Sequence, residues 1–393
     1  MLSSLAVSNY RSLIDLVVAL GPLNLVTGPN GSGKSNLYRA LRLLAETARG
    51  GLVGALAREG GLTSTFWAGP ESLSKGMKAG TVEVQGGPRR KPVRLQLGFA
   101  DDEIGYAISL GLPPPPSPDN PQPSKFALDP EIKKECIWSG TVYRPAGALV
   151  ERTGPLLKSR QGKRWNVISK HLNGFESMLG QPANAEITPE ILHVRERIRG
   201  WRFYDSFRVD PESPTRTPQL GTMTPVLDHD GTELAAALQT IIEIGDNEAL
   251  QTAVNDAFPG TRLAIAVQPD NRFSIELHQE GLLRPLTGAE ISDGTLRYLL
   301  WIAALMSPRP PPLMVLNEPE TSLHPDLLPA LGRLIAGASD SSQIWVVSHA
   351  SRLVATLEQA PDCRSIALAK EMGETVVPDQ GMLDEPPWRW PDG

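Results

Sequence analysis

The sequence predicts an α/β protein with a mixed or parallel sheet core, antiparallel strands at its N-terminus and an inserted α+β or helical subdomain. Apolar strands alternate with helices at both ends of the 393-residue chain, an order typical of a parallel sheet covered by helices. The segment between about residues 80 and 230 interrupts this alternation. We therefore interpret that segment as an insertion into the core.

The individual elements follow from apolar periodicity and from the turn residues between them. We predict, in chain order, strands at 2–8, 13–20 and 22–27, a helix at 37–48, strands at 81–85, 92–100, 105–112 and 136–144, a mixed and mainly helical region to about 200, helices at 232–243 and 247–258, strands at 261–268 and 272–278, a helix from 292, a strand at 311–316, a helix at 326–338, and strands at 343–348, 364–370 and 374–378. This order divides the chain into an N-terminal half of the core (1–80), an insertion that is β-rich and then helical (81–225), and a C-terminal half of the core (226–393).

Composition excludes several classes of protein. The two cysteines, Cys136 and Cys363, provide no disulfide framework and fit a reducing cytosol. No apolar run approaches the ~20 residues that span a bilayer, and the N-terminus lacks the pattern of a signal peptide. We therefore expect a soluble, cytoplasmic protein without a membrane domain. The net charge of −6 provides no global attraction to nucleic acid.

One region is basic in spite of the acidic whole. Residues 151–202 carry ten Lys or Arg against five Asp or Glu, a local charge of +5. A nucleic-acid-binding patch and a solvated helical face both fit this balance. Within the region, RGWRFYDSFR (199–208) interleaves Arg with aromatic residues, but its period-two alternation fits a half-buried strand equally well.

A glycine-rich loop connects the third strand to the first helix. GPNGSGKS (28–35) matches G-x-x-x-x-G-K-[ST] at every fixed position. The glycines let backbone N–H groups close around phosphate oxygens, Lys34 reaches the β- and γ-phosphates as a catalytic cation, and the Ser35 hydroxyl is a ligand for Mg²⁺. The predicted ATP-binding residues of the loop are Gly28, Pro29, Asn30, Gly31, Ser32, Gly33, Lys34, Ser35 and Asn36.

A second polar segment follows the buried strand in LMVLNEPE (313–320). A carboxylate at the end of such a strand can orient a water for attack on the γ-phosphate, and we assign this role to Glu318. A surface acid of a loop is the alternative for Glu318. Asn317 brings no negative charge but can hydrogen-bond a metal-bound water or the metal-ligating hydroxyl, so we count it as a metal-site residue. A turn-forming Asn without a metal role is the alternative.

Two further segments complete the candidate site. In ISDGTLR (291–297), Ser292 and Gly294 stand at the head of a helix and offer a hydroxyl and N–H groups to an anion. By itself this segment is an ordinary helix N-cap. In VVSHAS (346–351), His349 ends a buried strand 31 residues after Glu318. Its spacing favours a catalytic sensor of the γ-phosphate over a structural histidine.

These segments, in this order, resemble the ATP-binding-cassette (ABC) type of P-loop NTPase head. The chain is most similar to the RecF/SMC-like and OLD-like branch called AAA family ATPases, whose members have no transmembrane domain. The resemblance rests on NYRSLIDL, TGPNGSGKSNL (Walker A), ISDGTLR (signature), LNEPETSLHP (Walker B and D-loop) and VVSHAS (switch histidine), and it covers roughly 1–70 and 225–375.

The resemblance implies a homodimer that sandwiches ATP head to tail. Ser292 and Gly294 would contact the nucleotide bound to the other subunit, and Ser322–Asp326 would lie at the dimer interface. ATP binding would join the heads and hydrolysis would separate them, a ligand-driven association. Arg11, in the NYRS turn, would lie near the nucleotide base.

The chain departs from the family pattern at two positions. Asn317 stands where the family has Asp, and no Gln occurs between Asn36 and Val84 to serve as the Q-loop residue. Both groups normally help to hold Mg²⁺. Since Mg²⁺ readily retains several waters, we expect metal binding to persist and hydrolysis to be slow.

Several functions fit this site. The resemblance favours an ATPase in DNA repair and maintenance or in defence against phage and other foreign DNA. The alternative is an ATP-gated module that controls a separate effector protein without binding DNA. The ATP subunit of a membrane transporter fits less well, because the insertion differs in size from that of a transporter cassette. A small-molecule kinase would leave ISDGTLR and VVSHAS unexplained.

Overall fold

A computed structural model describes residues 1–71, 75–78, 81–83, 85, 92–114, 125–181, 188–378, 380–381 and 385–391. By their contacts the residues form two compact units, which we describe separately. Unit 1 comprises Met1–Leu20, Gly28–Gly200 and Ile366–Gly393, and unit 2 comprises Gly21–Thr27 and Trp201–Ser365. The division of the chain at residues 80 and 225 stays a prediction.

The described strands and helices are numbered in chain order. The strands are β1 (Ser4–Tyr10), β2 (Leu13–Ala19), β3 (Leu23–Thr27), β4 (Leu95–Ala100), β5 (Ile104–Gly111), β6 (Glu131–Ser139), β7 (Ala148–Thr153), β8 (Leu156–Gln161), β9 (Arg164–Ser169), β10 (Arg202–Tyr204), β11 (Gln219–Leu220), β12 (Thr261–Val267), β13 (Arg272–Gln279), β14 (Leu286–Thr287), β15 (Leu313–Asn317), β16 (Gln343–Val347), β17 (Cys363–Ala367), β18 (Ala369–Glu371) and β19 (Glu374–Val376). The helices are α1 (Lys34–Arg49), α2 (Leu52–Arg58), α3 (Leu62–Thr65), α4 (Lys75–Lys78), α5 (Pro189–Arg199), α6 (Leu234–Ile244), α7 (Asn247–Ala257), α8 (Asp293–Leu305), α9 (Leu328–Ala338) and α10 (Ser351–Leu357).

Unit 1 is built on an antiparallel sheet of eight strands in the order β2-β1-β4-β5-β6-β7-β8-β9. Each strand from β4 to β9 pairs with its sequence neighbour, so the sheet is a meander extended from the N-terminal hairpin. Helix α1 is amphipathic and buries Leu37, Leu41 and Leu44 at helical spacing. The predicted N-terminal antiparallel strands and inserted β-rich segment are present.

The structure of the first part of the basic region differs from the prediction. Residues 148–169, which lie in the region predicted as mixed and mainly helical, form strands β7, β8 and β9, and the described residues farther along this region form α5 and a short 3-10 helix at Met178–Gly180. Two-residue turns that begin at Gly154 and Gly162 connect these strands, and both glycines have positive φ (56° and 62°). Hairpin turns of this length favour glycine at such positions, and this signal outweighs the weak helical pattern.

A second correction concerns the strand predicted at 81–85. Residues 81–83 form no strand, and residue 84 lies outside the described residues. The polar and glycine-rich sequence around this segment provides few apolar side chains for a sheet face to bury.

Unit 2 is built on a five-stranded sheet in the order β10-β15-β16-β3-β17. Strands β10, β15, β16 and β3 are parallel, as predicted for the core. Trp301 of α8 packs against Tyr204 and Phe207, with ring centroids 6.2 and 4.8 Å apart. Arg202–Tyr204 of RGWRFYDSFR pairs with β15, with Phe203 and Tyr204 buried and Arg202 partly exposed, which confirms a half-buried strand. Among the described helices, none combines the length and hydropathy needed to cross a membrane.

Candidate functional site

The glycine-rich loop begins immediately after β3 and has the backbone of a phosphate cradle. Gly28, Gly31 and Gly33 all have positive φ, 141°, 80° and 110°, where a side chain is strained. A Cβ on Gly33 would lie 2.0 Å from Oγ1 of Thr375, and one on Gly28 would lie 2.3 Å from the carbonyl oxygen of Leu368. Conformation and space therefore both require glycine at these two positions.

Lys34 lies at the first position of α1 and bends back over the loop. Its side chain is buried, and Nζ donates to the carbonyl oxygens of Gly28 (2.7 Å) and Pro29 (3.2 Å). An ammonium has three donors, so these two bonds leave a third for a phosphate oxygen. The N-terminal end of α1 adds its positive dipole at the same place.

The remaining loop residues fall into two groups. Pro29, Asn30, Gly31 and Ser35 are exposed, and the hydroxyl of Ser35 is thus accessible to a metal-bound nucleotide. Ser32 is 1% exposed and, among the described residues, its Oγ has no hydrogen-bond partner. Such an orphaned buried hydroxyl next to three glycines fits a loop whose anion supplies the missing acceptor.

A network of side-chain hydroxyls, which was not predicted from the sequence, holds the loop through hydrogen bonds. Thr375 of β19 donates from Oγ1 to the carbonyl oxygen of Ser32 (2.8 Å) and lies 2.7 Å from Oγ of Ser12. Its backbone N–H donates to the carbonyl of Ser12 (2.8 Å). Asn36 donates from Nδ2 to the Ser12 hydroxyl (2.8 Å), so Asn36 contacts the support of the loop.

Arg11 is held by an acid of its own unit. Its Nη2 and Nε lie 2.7 and 3.2 Å from Oε2 of Glu59, and the Tyr10 hydroxyl donates to the same carboxylate at 2.7 Å. Burial, and next the adjacent Glu59, raise the pKa of the Tyr10 hydroxyl, which keeps it protonated as a donor. The predicted role of Arg11 near the nucleotide base stays a prediction.

In unit 2 the predicted acid and histidine lie together at the carboxyl edge of the sheet. Asn317 ends β15 opposite Val347 of β16, and the N–H of Glu318 donates to the carbonyl of Val347 (2.8 Å). Nδ1 of His349 is 3.8 Å from Oε1 of Glu318, and both side chains are about half exposed (56% and 45%). Ligands of parallel α/β sheets bind at this edge.

A buried second acid, Glu320, was not assigned a role from the sequence. The residue is 9% exposed. Its Oε1 accepts hydrogen bonds from Oγ of Ser348 (2.7 Å) and from the N–H groups of His349 (3.0 Å) and Ala350 (3.3 Å). The available signal was its position in NEPE, two residues after Glu318, but spacing alone could not reveal the partners.

Ser292 and Gly294 stand at the head of α8, as predicted. Ser292 is the N-cap, and its Oγ accepts from the N–H of Thr295 (3.2 Å). A Cβ on Gly294 would lie 3.7 Å from the carbonyl oxygen of Ser322, so the signature and D-loop segments are neighbours. Ser322 itself has a left-handed backbone, with φ of 60°.

The two predicted metal-site residues, Ser35 and Asn317, offer neutral oxygen donors. Within the described ranges there is no group of three His, Cys, Asp or Glu side chains that could hold a metal ion. Mg²⁺ bound together with phosphates and waters requires few protein ligands. The donor chemistry therefore fits a nucleotide-borne Mg²⁺ better than an ion held by the protein alone.

The chain is similar to a protein family and to two proteins of known name. A family model described as "AAA domain, putative AbiEii toxin, Type IV TA system" matches residues 23–135 and 155–355. The OLD nuclease of Thermus scotoductus is 48% identical over 44 residues, 11% of this chain and 8% of the relative. The DNA replication and repair protein RecF of Magnetococcus marinus is 49% identical over 45 residues, 11% of this chain and 12% of the relative.

One solved structure extends the likeness to the whole fold. It is a SmcHead bound to the C-winged helix domain of ScpA, with a TM-score of 0.50 and 14% sequence identity. The alignment covers 96% of this chain and 97% of that one. In contrast, the matched segments span about a tenth of the two curated relatives.

Proposed function

This chain belongs to the AAA-domain family whose model covers residues 23–135 and 155–355, as an ATPase of the RecF/SMC/OLD type, and from this premise we propose that it binds ATP with Mg²⁺ and hydrolyses it to ADP and phosphate. The observation that carries the proposal is the loop at 28–35. Three glycines with positive φ and the buried Lys34 form a cradle with no acidic side chain of its own.

In the proposed mechanism, the loop N–H groups, Lys34 and the α1 terminus hold the phosphates. Ser35 and Asn317 would hold Mg²⁺ through their neutral oxygens, and the ion would supply positive charge to the bound phosphates. Glu318 orients the attacking water and accepts its proton, and His349 contacts the γ-phosphate. Because Asn317 is neutral, the metal is held more weakly, and we expect slow turnover.

The test of this mechanism uses two variants with opposite expected effects. Glu318→Gln keeps the shape of the side chain but removes the base, so hydrolysis should be lost while ATP binding stays at the parental level. Lys34→Ala should weaken ATP binding itself. Binding by fluorescent ATP analogue and phosphate release would be measured in parallel. Parental turnover by Glu318→Gln would show that Glu318 is not the base.

We further propose that two heads associate around ATP, with Ser292 and Gly294 acting on the nucleotide of the partner. The helix head supports this role, because Ser292 is exposed there and its hydroxyl, which accepts from the N–H of Thr295, has a proton of its own to donate to an anion. Light scattering should detect a dimer of Glu318→Gln with ATP and a monomer without it. Ser292→Arg should remain monomeric with ATP, and an ATP-independent dimer would contradict the proposal.

A role in DNA repair, maintenance or defence against foreign DNA is supported by the basic hairpin of β8 and β9. Its cations are the partly exposed Lys158 and Arg160 and the exposed Lys163 and Arg164, and the exposed Lys170 follows directly after β9. Trp165 is exposed on the same strand pair, and Nζ of Lys158 lies 5.1 Å from its ring centroid. Glu151, 3.5 Å from Lys158, is the one acid in residues 148–171. Cations that flank an exposed aromatic ring fit a nucleic-acid backbone and its bases.

The DNA role predicts binding that weakens steeply with salt. Lys163→Glu combined with Arg164→Glu should reduce duplex binding at low salt and leave ATP turnover without DNA unchanged. Arg208→Glu, at an exposed arginine of unit 2, is the matched control. If the parent binds no duplex or DNA end at low salt, with or without ATP, the DNA role is excluded.

The second candidate is an ATP-gated module that controls a separate effector protein. It is favoured by the likeness to the SmcHead, which is bound to a domain of ScpA in its solved structure. A stoichiometric partner that co-purifies with Glu318→Gln in ATP, and not with the Lys34→Ala variant, would support this candidate.

A further inference from the structure

Glu320 is a buried acid that neither the phosphate cradle nor the attack of water requires. Its Oε1 gathers three donors from one short segment: the Ser348 hydroxyl and the N–H groups of His349 and Ala350. This segment leaves β16 and carries the histidine assigned to the γ-phosphate. A single carboxylate oxygen thus anchors the main chain on both sides of the His349 side chain.

The second oxygen of Glu320 is unusual. Among the described residues no donor lies within hydrogen-bond distance of Oε2, although the atom is buried. Two other buried acids, Asp101 and Glu135 in unit 1, have both oxygens partnered and are paired with Arg197 and Arg152, respectively. A structural carboxylate is expected to resemble Glu135. Glu320 therefore has an unpartnered carboxylate oxygen in a buried place where stability alone does not explain it.

Among the described residues, the His349 ring is the basic group that lies within 4.0 Å of the Glu320 carboxyl group. Nδ1 lies 3.5 Å from Oε1 of Glu320 and 3.8 Å from Oε1 of Glu318. Both distances exceed the 2.7–3.2 Å of an N–H···O hydrogen bond, and such contacts commonly shorten when substrate binds. The Nδ1 edge of the ring therefore faces two carboxylates, and the opposite edge with Nε2 is left for another group.

We propose that Glu320 is a positioning residue for His349. It anchors residues 348–350 through Oε1 and attracts the Nδ1 edge of the imidazole, so that Nε2 is presented to the γ-phosphate. Because Glu320 lies two residues after Glu318, the same acid connects the segment that carries the base to the segment that carries the sensor. This inference rests on the proposed ATPase function.

The first test is a double-mutant cycle of Glu320→Gln with His349→Ala. In the parental background, Glu320→Gln should lower turnover about tenfold and change ATP affinity less than about twofold. In the His349→Ala background, Glu320→Gln should change turnover less than about twofold, because the residue through which it acts is absent. An equal loss of turnover in both backgrounds would overturn the proposal.

The second test does not depend on hydrolysis. In ¹⁵N-histidine-labelled protein without nucleotide, the Nδ1 signal that disappears in His349→Ala should shift in Glu320→Gln. The matched control is Glu276→Gln, which alters a second His–Glu pair of unit 2, with Nε2 of His278 3.7 Å from Oε2 of Glu276. That control should shift the His278 signal and leave the His349 signal and ATP turnover unchanged.

The two tests distinguish a failure of the Glu320 role from a failure of the proposed ATPase function. A parent without ATPase activity would overturn the proposed function, while the nitrogen signal still reports on Glu320 and His349. An unshifted His349 signal in Glu320→Gln would overturn the inference. If Glu320→Gln does not fold, Ser348→Ala removes one donor to Oε1 and leaves the side chains of Glu320 and His349 in place. We expect it to lower turnover about threefold in the parental background and not in His349→Ala.

Discussion

The phosphate loop of unit 1 (28–36) and the acidic strand end of unit 2 (317–322) place different residue types at positions with left-handed backbone. Both contain residues with left-handed backbone. In the loop these are Gly28, Gly31 and Gly33, for which this conformation is unstrained. In the strand end they are Glu318 and Ser322, with φ of 49° and 60°. A side chain at such a position costs on the order of 1–2 kcal/mol.

The difference shows which groups each region uses for chemistry. At its three glycines the loop binds with backbone N–H groups, so side chains can be absent at these positions. The strand end acts through carboxylates, so a glycine at 318 would remove the reacting group. Strain of this kind is typical of functional positions. The supporting groups differ as well: the hydroxyls of Ser12 and Thr375 hold the loop, whereas the carboxyl group of Glu320 holds the segment around His349.

We expect the largest effect on ATP affinity for Gly33→Ala, which places a side chain at a left-handed backbone position of the loop. The new Cβ meets Oγ1 of Thr375 at 2.0 Å, and φ of 110° is unfavourable for alanine. We expect ATP affinity to fall on the order of 100-fold, or about 2.7 kcal/mol, measured by titration calorimetry. Gly54→Ala in α2 is the control, since its Cβ would have only Nη1 of Arg58 nearby, at 3.6 Å. Equal ATP affinity in Gly33→Ala and Gly54→Ala would contradict this account of the loop.

Asn317→Asp should increase the difference between the two regions, because it adds a second carboxylate beside Glu318 at the strand end. A carboxylate attracts Mg²⁺ more strongly than an amide, so turnover at saturating ATP should rise about tenfold, or ~1.4 kcal/mol of barrier. The Mg²⁺ concentration at half-maximal rate should fall in the same assay. Unchanged turnover would mean that the amide suffices. A gain that persists unchanged in Lys34→Ala would mean that the effect does not pass through bound ATP.

A comparison of Glu318→Gly with Glu318→Ala isolates the backbone strain. Both variants lose the carboxylate and should lose hydrolysis. Only glycine relaxes the left-handed backbone at φ of 49°, so Glu318→Gly should be more stable than Glu318→Ala by about 1 kcal/mol. Hydrogen exchange of the amides of β15 and β16 would measure this difference. Greater protection of these amides in Glu318→Ala would show that position 318 is unstrained.

The smallest effect is expected for Thr375→Val, which keeps the shape of the support but removes its hydroxyl. The carbonyl of Ser32 and the hydroxyl of Ser12 would each lose a partner. We expect a loss of about 1 kcal/mol in stability and a fall in ATP affinity of less than about tenfold. Thr252→Val, which removes an exposed bond to the carbonyl of Glu248 (2.9 Å), is the matched control. Identical stability of the two variants would show that the Thr375 hydroxyl does not stabilise the loop.

Much of the fold was predictable because its signals are local. Apolar periodicity located the core strands and the helices α6 to α9, and it placed Glu318 and His349 each at the end of a buried strand. The structure shows that these two strands are parallel neighbours. Strands β7 to β9 were missed because short polar strands carry a weak period-two pattern. Their clearest signal was the pair of turn glycines, Gly154 and Gly162.

The sequence by itself determined the groups that meet the nucleotide in our proposal: the glycines, Lys34, Glu318 and His349. Their identity follows from spacing along short segments, where backbone geometry leaves few alternatives. Only the tertiary structure decided what holds them. Thr375 reaches Ser32 across 343 residues, and Glu320 reaches Ser348 across 28. Hydrogen bonds over such separations depend on how the chain packs, and no local periodicity encodes them.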